Sequence, residues 1–255
     1  MTPEARLEAA RAEVRQALRE AGAALKGERG RRRGALNRTI HEARGMLEPG
    51  YPYRSQAGQD AVVDAIFGRK QGGTFLDIGG YDGVTGSNTL FLERHRGWRG
   101  ALVEPVPAQL EKAKAARRCP CLRYAVAAEA GEAEFIEIAE GYTQMSGLSG
   151  SYDEGLLRKV RADPRHREAV IRVETRTLSG LLEETGLEHP DFISLDIEGG
   201  EVAALAAFPF ARHRVGLWAI ENNSGTGEIG RIMRAAGYAL AEFCGPDEIW
   251  RLPDL

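Results

Sequence analysis

An α/β domain, with a mostly parallel sheet and helices on both faces, is what this 255-residue sequence predicts. Three observations predict it. From Ser55 onward, short apolar runs alternate with amphipathic stretches, the pattern of repeated strand–helix units. The first run, Thr74–Ile78, closes on Asp77-Ile78 and breaks into Gly79-Gly80. The second, at 101–103, ends on Glu104-Pro105. Parallel strands with acids at their carboxyl ends, and glycines after the first, describe a nucleoside pocket at the edge of such a sheet.

The elements follow in order. Residues 1–47 are rich in Ala, Arg and Glu, with apolar residues at Leu7, Val14, Leu18 and Leu25, the spacing of a thin helical stripe. They read as one or two helices interrupted at 27–34 by the basic joint GERGRRRG. This arm, 1–50, reads as a solvated segment with a flexible joint, as an oligomerising arm, or as a dock for an anionic partner. Pro49-Gly50-Tyr51-Pro52 ends it, and 51–255 form the main domain. A helix is expected at 57–67, strand one at 74–78, and a helix at 88–94. Strand two at 101–104, a helix at 107–117 and strand three at 122–126 come next. Alternating residues at 133–138 and 171–177 predict an inserted β-hairpin. Between them lies a glycine-rich loop, 141–150, long enough to act as a lid, and a short helix at 156–160. Ser179 is expected to cap a helix running to Thr185. Strand four at 192–196, a helix at 200–207, strand five at 215–220, a helix at 228–236 and two closing strands complete the chain.

Composition excludes several classes. A hydrophobic fraction of 43% supports a true core, and a net charge of −3 gives no basic field for bulk nucleic-acid binding. No apolar run is long enough to span a membrane. Residues 1–16 lack the apolar core of a secretory signal. Cys119, Cys121 and Cys244 give no disulfide framework, which points to a reducing, cytoplasmic setting. The histidines show no ligand spacing; His95 and His213 read as surface residues, with His213 a minor candidate for a base.

The stretch Asp77-Ile78-Gly79-Gly80-Tyr81-Asp82-Gly83 lacks the G-x-G-x-x-G spacing of dinucleotide binders. Asp82 inside the loop opposes a pyrophosphate and suits a cationic ligand such as S-adenosylmethionine, which carries an ammonium and a sulfonium. Asp77 and Asp82 could face the ammonium, while Gly79 and Gly83 allow close backbone approach. Glu104, a two-oxygen acceptor, suits both ribose hydroxyls.

Further landmarks extend the pattern: Ser55-Gln56-Ala57-Gly58-Gln59-Asp60, Ser87-Asn88-Thr89, Gly97-Trp98-Arg99-Gly100, Val103-Glu104-Pro105, Ser194-Leu195-Asp196-Ile197-Glu198-Gly199 with Glu201, and Glu221-Asn222-Asn223. In this order, from Ser55 to the C-terminus, the chain resembles the FkbM family of S-adenosylmethionine-dependent methyltransferases, within the Rossmann-like class I methyltransferase fold. It departs from that family at Gly80, often alanine there, and at Tyr81, often asparagine. The resemblance does not cover the arm. It implies methyl transfer to a hydroxyl oxygen, on a sugar of a glycan or of a glycosylated natural product.

Around that cofactor, Gln59, Tyr81, Ser87, Asn88, Pro105 and Val126 are the expected further contacts. Asp196, Glu198 and Glu221, at or just beyond two strand ends, are the candidate catalytic acids, since neighbouring carboxylates raise one another's pKa. Asp196, Glu221 and Asn222 could instead hold a divalent cation such as Mg2+ with hard oxygen ligands. Glu198 and Glu201 also read as charge compensation at a helix N-terminus. Tyr142, Gln144, Met145 and Asn222 are the candidate acceptor contacts. Two readings from other classes compete: an NAD(P)-dependent oxidoreductase, and a non-catalytic S-adenosylmethionine or nucleoside-binding module.

Overall fold

A computed structural model describes residues 1–152 and 154–255. Its main sheet holds seven strands: β1 (Thr74–Ile78), β2 (Arg99–Val103), β3 (Cys121–Leu122), β8 (Phe192–Leu195), β9 (Leu217–Ile220), β10 (Ala239–Cys244) and β11 (Asp247–Arg251). They lie in the order β10-β11-β9-β8-β1-β2-β3. All neighbours from β9 to β3 are parallel, and β10 and β11 close the edge antiparallel.

Side-chain alternation divides the core. Leu76 and Ile78 of β1, with Ile193 and Leu195 of β8, face helices α7 (Leu178–Glu184), α8 (Glu201–Ala206) and α9 (Glu228–Ala235). Phe75 and Phe192 face the other way, against α3 (Gln59–Ile66) and α4 (Leu90–Arg96), with Trp98 buried beside them. Helix α5 (Pro107–Ala116) carries the crossover between β2 and β3.

A second sheet stands beside the first, in the order β4 (Ala125–Val126), β7 (Arg167–Arg176), β5 (Gly131–Glu140) and β6 (Gly147–Leu148). The expected hairpin is its centre: β5 (Gly131–Glu140) pairs antiparallel with β7 (Arg167–Arg176). The glycine-rich segment is more ordered than a bare loop. It forms a 3₁₀ turn, Thr143–Met145, and strand β6 (Gly147–Leu148), which pairs with β5. Helix α6 (Glu154–Arg161) follows. The third strand of the sequence reading is two strands. Cys121 and Leu122 pair with β2, whereas β4 (Ala125–Val126) pairs with β7. The chain changes sheets at Arg123-Tyr124, where Arg176 lies over the Tyr124 ring at 4.3 Å.

The arm forms helices α1 (Pro3–Gly27) and α2 (Arg32–Leu47). Its basic joint is not a free one. Arg33 grips Glu242 of β10 through two hydrogen bonds of 2.5 Å, and Arg31 reaches Glu248 at 2.7 Å. Gly245 donates its N–H to the Gly34 carbonyl at 3.0 Å. Leu7 and Met46 stay exposed. At the start of α7, the cap is Thr177, whose hydroxyl accepts the Gly180 N–H, and not Ser179. No helix among the described residues is long and apolar enough to cross a membrane.

Candidate active site

Register builds the site. Ile78 stands level with Val103 on one side and Leu195 on the other, and Leu195 stands level with Ile220. The next residue of each strand therefore emerges at one height: Gly79, Glu104, Asp196 and Glu221. Parallel strands lie about 4.8 Å apart, so acids at adjacent ends become neighbours. A cleft opens over these ends, enclosing about 1080 Å³ of empty space including its mouth.

One wall is the glycine loop. Gly79 has φ +75°, and a Cβ there would meet the Asp196 carbonyl oxygen at 1.7 Å, so only glycine fits. Tyr81 also adopts a left-handed φ, +49°, and donates its N–H to Glu104 Oε2 at 3.0 Å. Glu104 Oε1 accepts the Val106 N–H at 2.8 Å. Burial pushes Glu104 up to about 7, against the pull of those two N–H groups. Pro105 and Val126 line the cleft beside it.

Asp77 reaches the cleft but also anchors a buried network. It accepts hydrogen bonds from Thr89 Oγ1 and, at 3.5 Å, from Ser87 Oγ, and it pairs with Arg117 at 3.3 Å. Arg117 is fully buried and holds Glu93 at 2.7 Å with its other face. Ser87 Oγ caps α4 by accepting the Leu90 N–H at 3.1 Å. Asn88 donates to Ser194 Oγ at 2.9 Å, while its own Oδ1 is buried without a hydrogen-bond partner.

The opposite wall carries the acids. Asp196, Glu198 and Glu221 bring one carboxylate oxygen each to within 4.8 Å of one another. Burial comes first for all three: it pushes Asp196 up to about 7 with repulsion from Asp247 next, and Glu198 up to about 9 and Glu221 well above the usual range with repulsion from Asp196 next. Asp196 and Glu221 interact directly, and burial raises both. Glu198 sits at φ +58°, and Asn223 donates to it at 3.5 Å. Glu201 has the helix-end role that its position suggested. Its carboxylate accepts the N–H groups of Ile197 at 2.8 Å and Gly199 at 3.1 Å.

Several expected residues lie elsewhere. Gln59 is buried outside the cleft, donating to Asp247 at 3.0 Å and accepting the Ala57 N–H at 2.8 Å. Its neighbour Gln56 lines the cleft instead. Asp82 is engaged in its own turn, accepting the N–H groups of Val84 and Thr85 at 2.9 and 2.7 Å. Gly83 backs onto Arg117 rather than the cleft. Gln144 and Met145 line the mouth, but Tyr142 points to solvent at 54% exposure. Asn222 is buried and faces away, donating to Glu248 at 2.8 Å and Thr226 O at 3.0 Å. It is therefore not grouped with Asp196 and Glu221; Glu198 takes that place. His213 is buried, not on the surface, bonded to Ser179 Oγ at 2.7 Å and the Glu188 carbonyl at 2.9 Å. Thr143, Tyr124 and Phe135 line the cleft without having been expected. No motif marks them, because the second sheet brings them in.

Among curated proteins, none matches this chain. Among solved structures, it is similar to a methyltransferase FkbM from Methylobacillus flagellatus KT, at 13% identity and TM-score 0.45. That match covers 91% of this chain and 58% of the other, so the chain spans little more than half of that protein's length. It is also similar to a TehB-like SAM-dependent methyltransferase from Corynebacterium glutamicum ATCC 13032 Kitasato, at 13% identity and TM-score 0.40, covering 83% and 94%. An RNA methyltransferase from Salinibacter ruber, in complex with S-adenosyl-L-homocysteine, matches at 13% identity and TM-score 0.36, covering 76% and 88%. The model of the methyltransferase FkbM domain matches residues 77–240, more than half of the sequence and every strand end of the cleft. The chain therefore belongs to the FkbM family of S-adenosylmethionine-dependent methyltransferases and has their class I fold.

Proposed function

We propose that this protein methylates a hydroxyl oxygen of a sugar, in a glycan or a glycosylated natural product, with S-adenosylmethionine as donor. The observation that carries the cofactor is the acidic lining of the cleft. Asp77, Glu104, Asp196, Glu198 and Glu221 line it, with no Lys, Arg or His among the described lining residues. An ammonium or a sulfonium beside these acids lowers their raised pKa values and favours their ionised forms, whereas a pyrophosphate or a nucleic-acid backbone gains nothing from them. The orphaned Asn88 Oδ1 adds an acceptor for a cationic donor. The NAD(P) reading is opposed on the same ground.

Bound in the cleft, the cofactor supplies an electrophilic methyl group. Glu104 keeps one lone pair free on each oxygen, beyond the two backbone N–H bonds, to accept ribose hydroxyls. Asp196, beside Glu221 at the adjacent strand end, is placed to take the proton of the acceptor hydroxyl as its oxygen attacks the methyl carbon. The carbon–sulfur bond breaks in the same step, and its electron pair stays on sulfur. Gln144 and Met145 would border the acceptor at the mouth. The three acids can alternatively hold a divalent cation such as Mg2+, which would orient the acceptor oxygen and lower its pKa. Within this reading, residues 51–255 form the catalytic domain, and the arm braces its β10 edge.

Calorimetry tests the cofactor: S-adenosylhomocysteine is expected to bind and NAD+ is not, and the reverse overturns the assignment. Labelled methyl is then followed into cell-envelope glycan, hydrolysed to monosaccharides. Label recovered as O-methyl sugar supports the acceptor class, and label on any other product rejects it. Loss of transfer with EDTA selects the cation over the base.

A further inference from the structure

A hydrogen bond crosses the cleft between its two sheets. Tyr81, from the loop after β1, places its hydroxyl 2.6 Å from Thr143 Oγ1 in the 3₁₀ turn of the second sheet. Both ends are anchored. The Tyr81 backbone is held by Glu104 at 3.0 Å, in a left-handed conformation that a bulky residue rarely adopts. The turn is fastened to β5 through Ser146, whose hydroxyl accepts the Ile138 N–H at 3.0 Å and donates to the Thr143 carbonyl at 3.1 Å. The hydroxyl of buried Tyr152 donates to the Met145 carbonyl from below.

We propose that Tyr81 is a positioning residue that clasps the turn Thr143–Met145 over the cleft, so that ligands enter and leave only when the Tyr81–Thr143 hydrogen bond opens. The clasp joins the cofactor side to the acceptor side. Glu104 fixes the Tyr81 peptide, and the Tyr81 phenol fixes the turn that carries Gln144 and Met145. Packing alone does not need the hydroxyl, since a phenyl ring fills the same space. While the bond is made the turn is held against the loop after β1, so opening precedes binding and release alike. A gate of this kind changes both rates together and leaves affinity nearly constant. A direct cofactor contact changes release and affinity together.

The proposal rests on the cofactor reading above for its probe, S-adenosylhomocysteine. Surface plasmon resonance on the full chain compares wild type, Tyr81→Phe, Thr143→Val and the double variant. Association and dissociation rates are both expected to rise about fivefold in each single variant, the effect of one neutral hydrogen bond. The dissociation constant is expected to stay within about twofold, and the double variant to match the singles, as two halves of one bond must. A weaker dissociation constant with unchanged association makes Tyr81 a cofactor contact and overturns the clasp. So do unchanged rates, or effects that multiply in the double variant. Hydrogen exchange in the ligand-free protein gives an answer independent of the probe. The Ile138 and Met145 amides are expected to exchange faster in Tyr81→Phe, and unchanged exchange overturns the clasp. Should wild type fail to bind S-adenosylhomocysteine, the cofactor reading falls and exchange alone decides.

Discussion

At the residue scale, Glu104 carries the most testable chemistry. A carboxylate must be ionised to accept two ribose hydroxyls, yet burial holds this one near 7. Binding of S-adenosylhomocysteine should therefore weaken as the pH falls through 7. Protonation at pH 6 removes about nine-tenths of the competent form, so the dissociation constant should be about tenfold higher there than at pH 8. Glu104→Gln should bind weakly at both values and lose the dependence. A wild-type affinity flat from pH 6 to 8 would separate Glu104 from the ribose. Residues of this kind were legible in the sequence, because a strand that ends on an acid declares which edge of the sheet the acid occupies. Asp82 and Gln59 misled for a matching reason. Both sit in the right motif, but a local turn and a distant Asp247 claim their side chains.

At the element scale, the parallel strands were legible because each is an apolar run bounded by an acid or glycine. The third strand was not, since its four paired residues serve two sheets. The arm was not legible as a docked element either. Its contact depends on Gly34 meeting Gly245, a partner far along the chain. Gly34→Ala decides between docked and solvated arms through its sign. On a free helix, glycine to alanine stabilises by about 1 kcal/mol. Here the new Cβ would meet the Gly245 carbonyl oxygen at 2.1 Å, backbone against backbone with no side chain to yield. The substitution should lower the melting temperature of the full chain by several degrees. A rise, measured by circular dichroism, would mean that α2 leaves the sheet edge freely.

At the scale of the whole molecule, the fold concentrates unfavourable charge where the strands end. Burial holds Glu104, Asp196 and Asp247 near 7 and Glu198 near 9, and Glu221 is pushed well up with them. In the unfolded chain these groups return to the ordinary carboxylate range. Between that range and 7 to 9 the native state holds protons that the unfolded state lacks, so stability falls as pH rises. The contribution is complete below the unfolded values and is lost as pH climbs through the folded ones. Carboxylates shifted the other way, such as Glu93 beside Arg117, act only at lower pH. The melting temperature should therefore be higher at pH 6 than at pH 8.5, by about 4 °C or more for a chain of this size. A ligand ammonium relieves the same repulsion. Saturating S-adenosylhomocysteine, which keeps the ammonium, should raise the pH 8.5 value more than the pH 6 value and narrow the gap. Scanning calorimetry at the two pH values, with and without the ligand, checks both parts. A melting temperature that climbs from pH 6 to 8.5 would mean that the strand-end acids are ionised in the native state, against the raised values that burial gives Asp196 and Glu221.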